Sequence, residues 1–407
     1  MSHNLDKRSL GKTPEKKLFF SLEEYAERFK KTKQLMKAKN IDLLLVVECE
    51  DIYYLTAHQT VGSPMLEILV IPSDPNEEMY FVTRLLELSN TEYRSILKNY
   101  YSYNDYEDEI EFVFKKILDN NPDYKTIGVQ SKSKRISYYQ LNKLNNLFLS
   151  TNPDCKIVDA SILVSGQRII KSPAEIELIK KAAEFCSAGV HAVLNNAKIG
   201  TMETEIAGDI YKAMTALGCE YCAYPTFVAS GANTRLGHYT GDQTTLKKNE
   251  ILFIENGGCY QRYHAAMMRT FYMGNELPYE LQEIEAAIIE AMDTAYKIMV
   301  PNACCGEIDA EIRKICSKQA EWTCSLRMAY SIGVGFYTDW GEPELITIEP
   351  NSNKILLENM VFHLIPWIQV FSKSWAVGLS DTVVITPIGA KSLYKNPPPR
   401  KIQLIPC

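Results

Sequence analysis

The sequence predicts an α/β N-terminal domain followed by an α+β C-terminal domain, and three observations carry that prediction. The chain has 407 residues, more than one compact core usually organises. Its first part alternates short apolar runs with amphipathic segments, the pattern of strands laid between helices. Its later part has long helical stretches and several β-rich pieces instead. Apolar residues make up 46% of the chain and charged residues 23%, enough to fill two buried cores in a soluble protein.

Residues 1–17 (MSHNLDKRSLGKTPEKK) are polar and read as a flexible tail. The N-terminal domain is expected over 18–165. It opens with a helix whose start is marked by Ser21 and Glu24 in capping-box spacing. IDLLLVV, EILVIPS and EMYFVTR read as buried strands, LLELSNTEYRSILKN and DEIEFVFKKILDNN as helices. YKTIGVQ is a further strand and SYYQLNKLNNLFLS a further helix.

The C-terminal domain is expected over 166–407. Ser172, Pro173 and Glu175 supply an N-cap, a first-turn proline and a capping box for a long helix with Ile176, Ile179, Ala183, Cys186 and Val190 at helical spacing. A second helix runs from Met202 to about Leu217. EILFIENGGCYQRYHAAMMRTFYMG reads as a β-hairpin, and the next helix starts at Pro278 and stops before Pro301. A helix near Asp309–Glu321 precedes β-rich pieces around Tyr330–Tyr337, Met360–Val370 and Val377–Thr386.

With 44 basic and 50 acidic side chains the formal charge is −6, so neither nucleic acid nor an anionic membrane surface is the expected partner. No run of eighteen apolar residues occurs, and the expected location is cytoplasmic. The eleven cysteines include one CxxC, Cys219 and Cys222, without a second pair at zinc spacing; they read as reduced, packed thiols.

Six segments then come in a telling order: YYLTAH, IKSPAEIELIKKAA, the hairpin quoted above, AYSIGVGF, LLENMVFHLIP and LSDTVVIT. In this order they resemble the creatinase / Xaa-Pro aminopeptidase / methionine aminopeptidase superfamily over about residues 21–395. The resemblance implies a creatinase-like N-terminal domain and a pita-bread catalytic domain. It also implies a homodimer in which Tyr54 or His58 reaches a neighbouring site. Peptidases of this superfamily hold two metal ions on two aspartates, a histidine and two glutamates. Those positions here carry Glu255, Ala266, Tyr330, Ile365 and Ser380, a set too poor in hard ligands for two divalent ions. No metal or other cofactor is therefore expected.

Metal-free members resemble the chain further. Creatinase carries glutamates where Met268 and Ser380 stand here, so a creatinase-like amidinohydrolase is the alternative, with a catalytically inactive binding scaffold as a third reading. Sequences like ectoine hydrolase share Glu255, the run Arg262-Tyr263-His264 and the stretch Ser331 to Glu342. This resemblance implies hydrolytic opening of a small cyclic amidine, ectoine above all, to an N-acetyl-diaminobutyrate. A protonated amidine carbon is already electrophilic and needs no Lewis acid. Glu255, within the apolar run 251–254, is expected to attack that carbon or activate water, with burial raising its basicity. His238 is expected to protonate the leaving nitrogen. Tyr263, His264, Tyr330, Asp339, Trp340 and Glu342 are the expected substrate-binding residues. Strand alternation turns only one of Tyr263 and His264 inward. Tyr330 hydrogen-bonds substrate or fills the volume a metal ligand leaves.

Overall fold

The computed structural model describes residues 18–62, 65–121 and 123–406; the expected tail over 1–17 lies outside them. The chain divides into two compact units, one ending at Arg168 and the other beginning at Ile169.

The first unit runs α1 (Leu22–Ala38), β1 (Leu43–Val46), α2 (Cys49–Thr56), β2 (Ile68–Pro72), β3 (Tyr80–Arg84), α3 (Leu88–Arg94) and β4 (Tyr100–Tyr103). It continues with α4 (Glu109–Asn120), β5 (Thr126–Val129), α5 (Tyr138–Thr151), β6 (Lys156–Asp159) and the short α6 (Ser165–Arg168). The strands form one mixed sheet in the order β4-β3-β2-β1-β5-β6. Central β1 explains its unbroken apolar run. Leu43 and Leu45 enter the core on one face, Leu44 and Val46 the core on the other. Ser21 caps α1 by accepting the Glu24 amide. Tyr54 and His58, the residues expected to reach another subunit, have contacts within this unit. Arg28 lies 4.0 Å over the Tyr54 ring, and buried His58 bonds Glu67 at 3.0 Å.

The second unit begins with α7 (Pro173–Asn196), α8 (Glu203–Ala216) and β7 (Phe227–Ser230), followed by the hairpin β8 (Ile251–Tyr260) and β9 (Tyr263–Met273). Next come α9 (Tyr279–Ile298), α10 (Cys305–Cys316), β10 (Trp322–Thr323), β11 (Ala329–Ser331) and β12 (Thr347–Ile348). The last strands are β13 (Val361–Leu364), β14 (Trp367–Val370), β15 (Trp375–Gly378), β16 (Asp381–Thr386), β17 (Gly389–Ser392) and β18 (Gln403–Ile405). α10 lies earlier than the expected Asp309–Glu321.

The expected strands 360–370 and 377–386 each break in two. Pro366 interrupts the first, having no N–H to continue a ladder. The chain passes there from the five-stranded sheet (β12-β11-β13-β16-β17) to the three-stranded one (β10-β14-β15). It returns between Gly378 and Asp381, so Ile365 and Ser380 stand at the two crossings.

The hairpin belongs to a third sheet, β18-β9-β8-β7. Ser172 and Glu175 form the expected capping box at the start of α7. No helix among the described residues is long and apolar enough to cross a membrane. The ten described cysteines are free thiols, and burial pushes Cys219 to about 12 and Cys222 to about 11, as packed thiols require.

Candidate active site

The hairpin has two faces with different neighbours. Register pairs Glu255 with Met268, Gly257 with Ala266 and Cys259 with His264, so these six share one face. A Cβ on Gly257 would run into the Trp340 ring, whereas one on Gly258 would run into the Ala182 carbonyl of α7. The Glu255 face thus looks toward Trp340, and the opposite face packs on α7. Cys186 of α7 seals that contact by accepting the Gly258 amide at 3.1 Å.

Glu255 is 4% exposed and makes no hydrogen bond to another described residue. The His363 imidazole stands beside it, with Nδ1 4.0 Å from Oε1. Burial alone pushes its carboxyl up to about 8. An acid of this kind is protonated near neutrality until a cation arrives to pair with it.

Around Glu255 stands a chain of hydrogen bonds from four segments. Trp340 Nε1 donates to Tyr330 Oη at 2.7 Å, Tyr330 Oη meets His363 Nδ1 at 2.8 Å, and His363 Nε2 meets Ser380 Oγ at 2.7 Å. Burial, then the Arg269 charge, lowers His363 to about 3, so it is neutral. An apolar wall of Phe253, Met268, Ile365 and Trp367 backs this chain. Toward β7, the Trp340 ring packs edge-on against Tyr224 at 4.8 Å and Phe227 at 5.9 Å.

Glu255, Tyr330 and Trp340 are therefore brought together. Asp339 holds the Trp340 loop by accepting the Trp340 and Gly341 amides at 2.8 and 2.9 Å. His238 sits on an exposed turn with φ 55°, its ring 5.1 Å from Phe227 and stacked on Tyr224 at 6.4 Å. It thus borders the two aromatic residues that pack on Trp340.

Two expected residues point elsewhere. Tyr263 lies on the α7 face, its hydroxyl donating to Glu175 Oε1 at 2.8 Å. Glu342 turns away from the pocket into a buried ion pair with Lys171 at 2.7 Å, where Ser331 also donates to it. His264 takes the Glu255 face, but Trp340, seated on Gly257, occupies the pair between them. Its ring is fully buried with neither nitrogen hydrogen-bonded, and burial, then the Arg262 charge, lowers it to about 3.

His363 was not anticipated from the sequence. In MVFHLIPW it reads as one polar residue in an apolar strand, and its partners lie 33 and 17 positions away. Its one available signal was the alternation that turns His363 and Ile365 to the same side.

The positions of the family's metal ligands carry few donors here. Ala266 and Ile365 offer no donor, and the oxygens of Tyr330 and Ser380 are engaged with His363. Among the described residues no three His, Cys, Asp or Glu side chains group as a metal site. The donor set does not fit a pair of divalent ions.

Residues 177–387 match the model of metallopeptidase family M24, and residues 28–170 match the creatinase/prolidase N-terminal domain. The chain belongs to metallopeptidase family M24. Among relatives, it is 25% identical over 399 residues to the ectoine hydrolase of Halomonas elongata, covering 93% of this chain and 97% of that one. It is also 25% identical over 372 residues to a Xaa-Pro dipeptidase of Pyrococcus horikoshii, covering 91% and 97%. The prolidase structure from Pyrococcus horikoshii superposes with a TM-score of 0.78 at 23% identity over 91% of this chain and 98% of that one. That from Thermococcus sibiricus gives 0.81 at 22% identity over 94% and 99%. The fold is the creatinase N-terminal domain joined to the M24 pita-bread domain, and this M24 member is a hydrolase by family.

Proposed function

We propose that this protein hydrolyses a C–N bond of a small cyclic amidine without a metal, with ectoine as the substrate. The observation that carries the reading is Glu255: a buried carboxyl, raised to about 8, with no cation among the described residues within hydrogen-bond reach. A protonated amidine supplies the missing charge. Its arrival lowers the carboxyl's affinity for its proton, which leaves to solvent, and the resulting ion pair holds the ring against Glu255. Trp340 offers its aromatic face to the planar cation.

Glu255 then takes a proton from water as the water oxygen bonds to the amidine carbon. His238 gives a proton to the ring nitrogen as the C–N bond breaks. The hydroxyl on the carbon loses its proton to form the amide carbonyl, and that proton restores His238. The similarity to an ectoine hydrolase supports this substrate. The equal similarity to a Xaa-Pro dipeptidase carries less weight, since a bridging-metal mechanism has no donor set here. The reading carries with it a cytoplasmic location, tested by fractionating cells, and a homodimer, tested by sedimentation of the purified protein.

Proton NMR of ectoine incubated with the protein in EDTA tests the reaction. Ring opening that persists in EDTA and disappears in Glu255→Gln is expected. Turnover lost to EDTA, or urea released from creatine with ectoine untouched, overturns the proposal.

A further inference from the structure

The hydroxyl of Ser380 is fully buried and already accepts the Met268 amide at 2.6 Å. Its own proton needs an acceptor, and His363 Nε2 at 2.7 Å is the one the described residues provide. Nε2 is therefore the bare nitrogen, and the proton of this neutral imidazole sits on Nδ1. From there it is donated to Tyr330 Oη at 2.8 Å, which also accepts Trp340 Nε1–H at 2.7 Å. Both acceptor positions of the phenol oxygen are then filled. The opposite tautomer would strand the Ser380 proton in a dry site.

The phenol proton has no protein acceptor among the described residues and Tyr330 is only half-buried, so that proton is left for a bound molecule to accept. Burial, then the Glu255 charge, holds the phenol well above its usual range, which keeps that proton in place.

We infer that Tyr330 is an oriented hydrogen-bond donor to the oxygen added at the reacting carbon, and that His363 is a positioning residue whose Nδ1–H tautomer aims it. This rests on the reaction proposed above. The phenol keeps its proton throughout; it binds the water oxygen while the C–O bond forms and the same oxygen as it becomes the amide carbonyl. Such a donor is preorganised for charge that develops during reaction, which raises kcat rather than affinity.

Full-length protein labelled with ¹⁵N-histidine reports the tautomer through long-range proton–nitrogen correlations, with His363→Asn identifying the signal. A protonated Nδ1 and bare Nε2 are expected; a protonated Nε2 overturns the inference, and this measurement needs no substrate. Kinetically, Tyr330→Phe lowers kcat for ectoine about 10²–10³-fold and changes KM less than about threefold. His363→Leu gives a similar loss and adds nothing to Tyr330→Phe, because both remove one oriented proton. His363→Asn, which keeps an N–H near the Nδ1 position, recovers activity over His363→Leu. Wild-type kcat in Tyr330→Phe beside an inactive Glu255→Gln sinks the donor and leaves the reaction standing. A wild type inert on every cyclic amidine sinks the reaction, and the tautomer spectrum still decides the donor's orientation.

Discussion

Glu255 and Glu342 are both buried carboxylates of the second unit, 4% and 1% exposed, yet the fold treats them in opposite ways. Glu342 has the Lys171 ammonium at 2.7 Å and a serine hydroxyl beside it. Glu255 has a neutral imidazole at 4.0 Å and no hydrogen bond among the described residues. A buried acid that serves architecture comes with its countercharge built in. One left without it is costly to ionise, and in the reaction proposed above its countercharge comes with the substrate.

The sharpest way to break this contrast is to neutralise each acid and compare stability by chemical denaturation. Glu342→Gln strands the Lys171 charge and is expected to cost about 3–5 kcal/mol, most of it recovered when Lys171→Met is added. Glu255→Gln is expected to cost nothing or to stabilise, while abolishing turnover. Equal losses at the two positions would erase the distinction.

The pH dependence sharpens it further. Glu255 has a folded-state value of about 8 against 4.5 for an ordinary glutamate, so the folded protein holds a proton that the unfolded chain releases. Wild type therefore matches Glu255→Gln in acid and falls behind as pH rises from about 4.5 to about 8, by up to about 5 kcal/mol in all. Denaturation midpoints at several pH values across that window give the answer; parallel curves would refute the partnerless acid.

A smaller effect concerns the Trp340 seat. Gly257→Ala drives a methyl into the indole and is expected to cost about 1–3 kcal/mol and to lower kcat. Gly208→Ala, on an open part of α8, is expected to gain about 0.5–1 kcal/mol and leave kcat alone.

Much of the fold was legible because it rests on local signals. The Leu43–Val46 run, the capping box at Ser172 and the hairpin after Glu250 need only their own neighbours to be recognised. Helix α2 escaped because CEDIYYLT is buried at every position but one and shows no amphipathic face. Strands β4 (YYSY) and β6 (KIVD) escaped because they are half-exposed edges without an apolar run. In the site, Glu255 stood out as a carboxylate inside an apolar strand. Glu342 did not reveal its role, since its partner lies 171 positions earlier. Alternation said that Tyr263 and His264 diverge, but which one turns inward depended on where Glu175 stands in space. His363 gained its significance only from contacts with Tyr330 and Ser380 on other strands.

Strand β9 alternates between two sets of obligations. Positions 263, 265 and 267 answer to α7, through Glu175, Cys186 and the pairing with Asn256. Positions 264, 266 and 268 turn to the other face, toward Trp340 and the apolar wall beside Glu255. Substitutions of matched volume in the second row leave the contacts that seat the helix untouched. A lineage of this fold can thus abandon one chemistry and try another without passing through an unfolded ancestor.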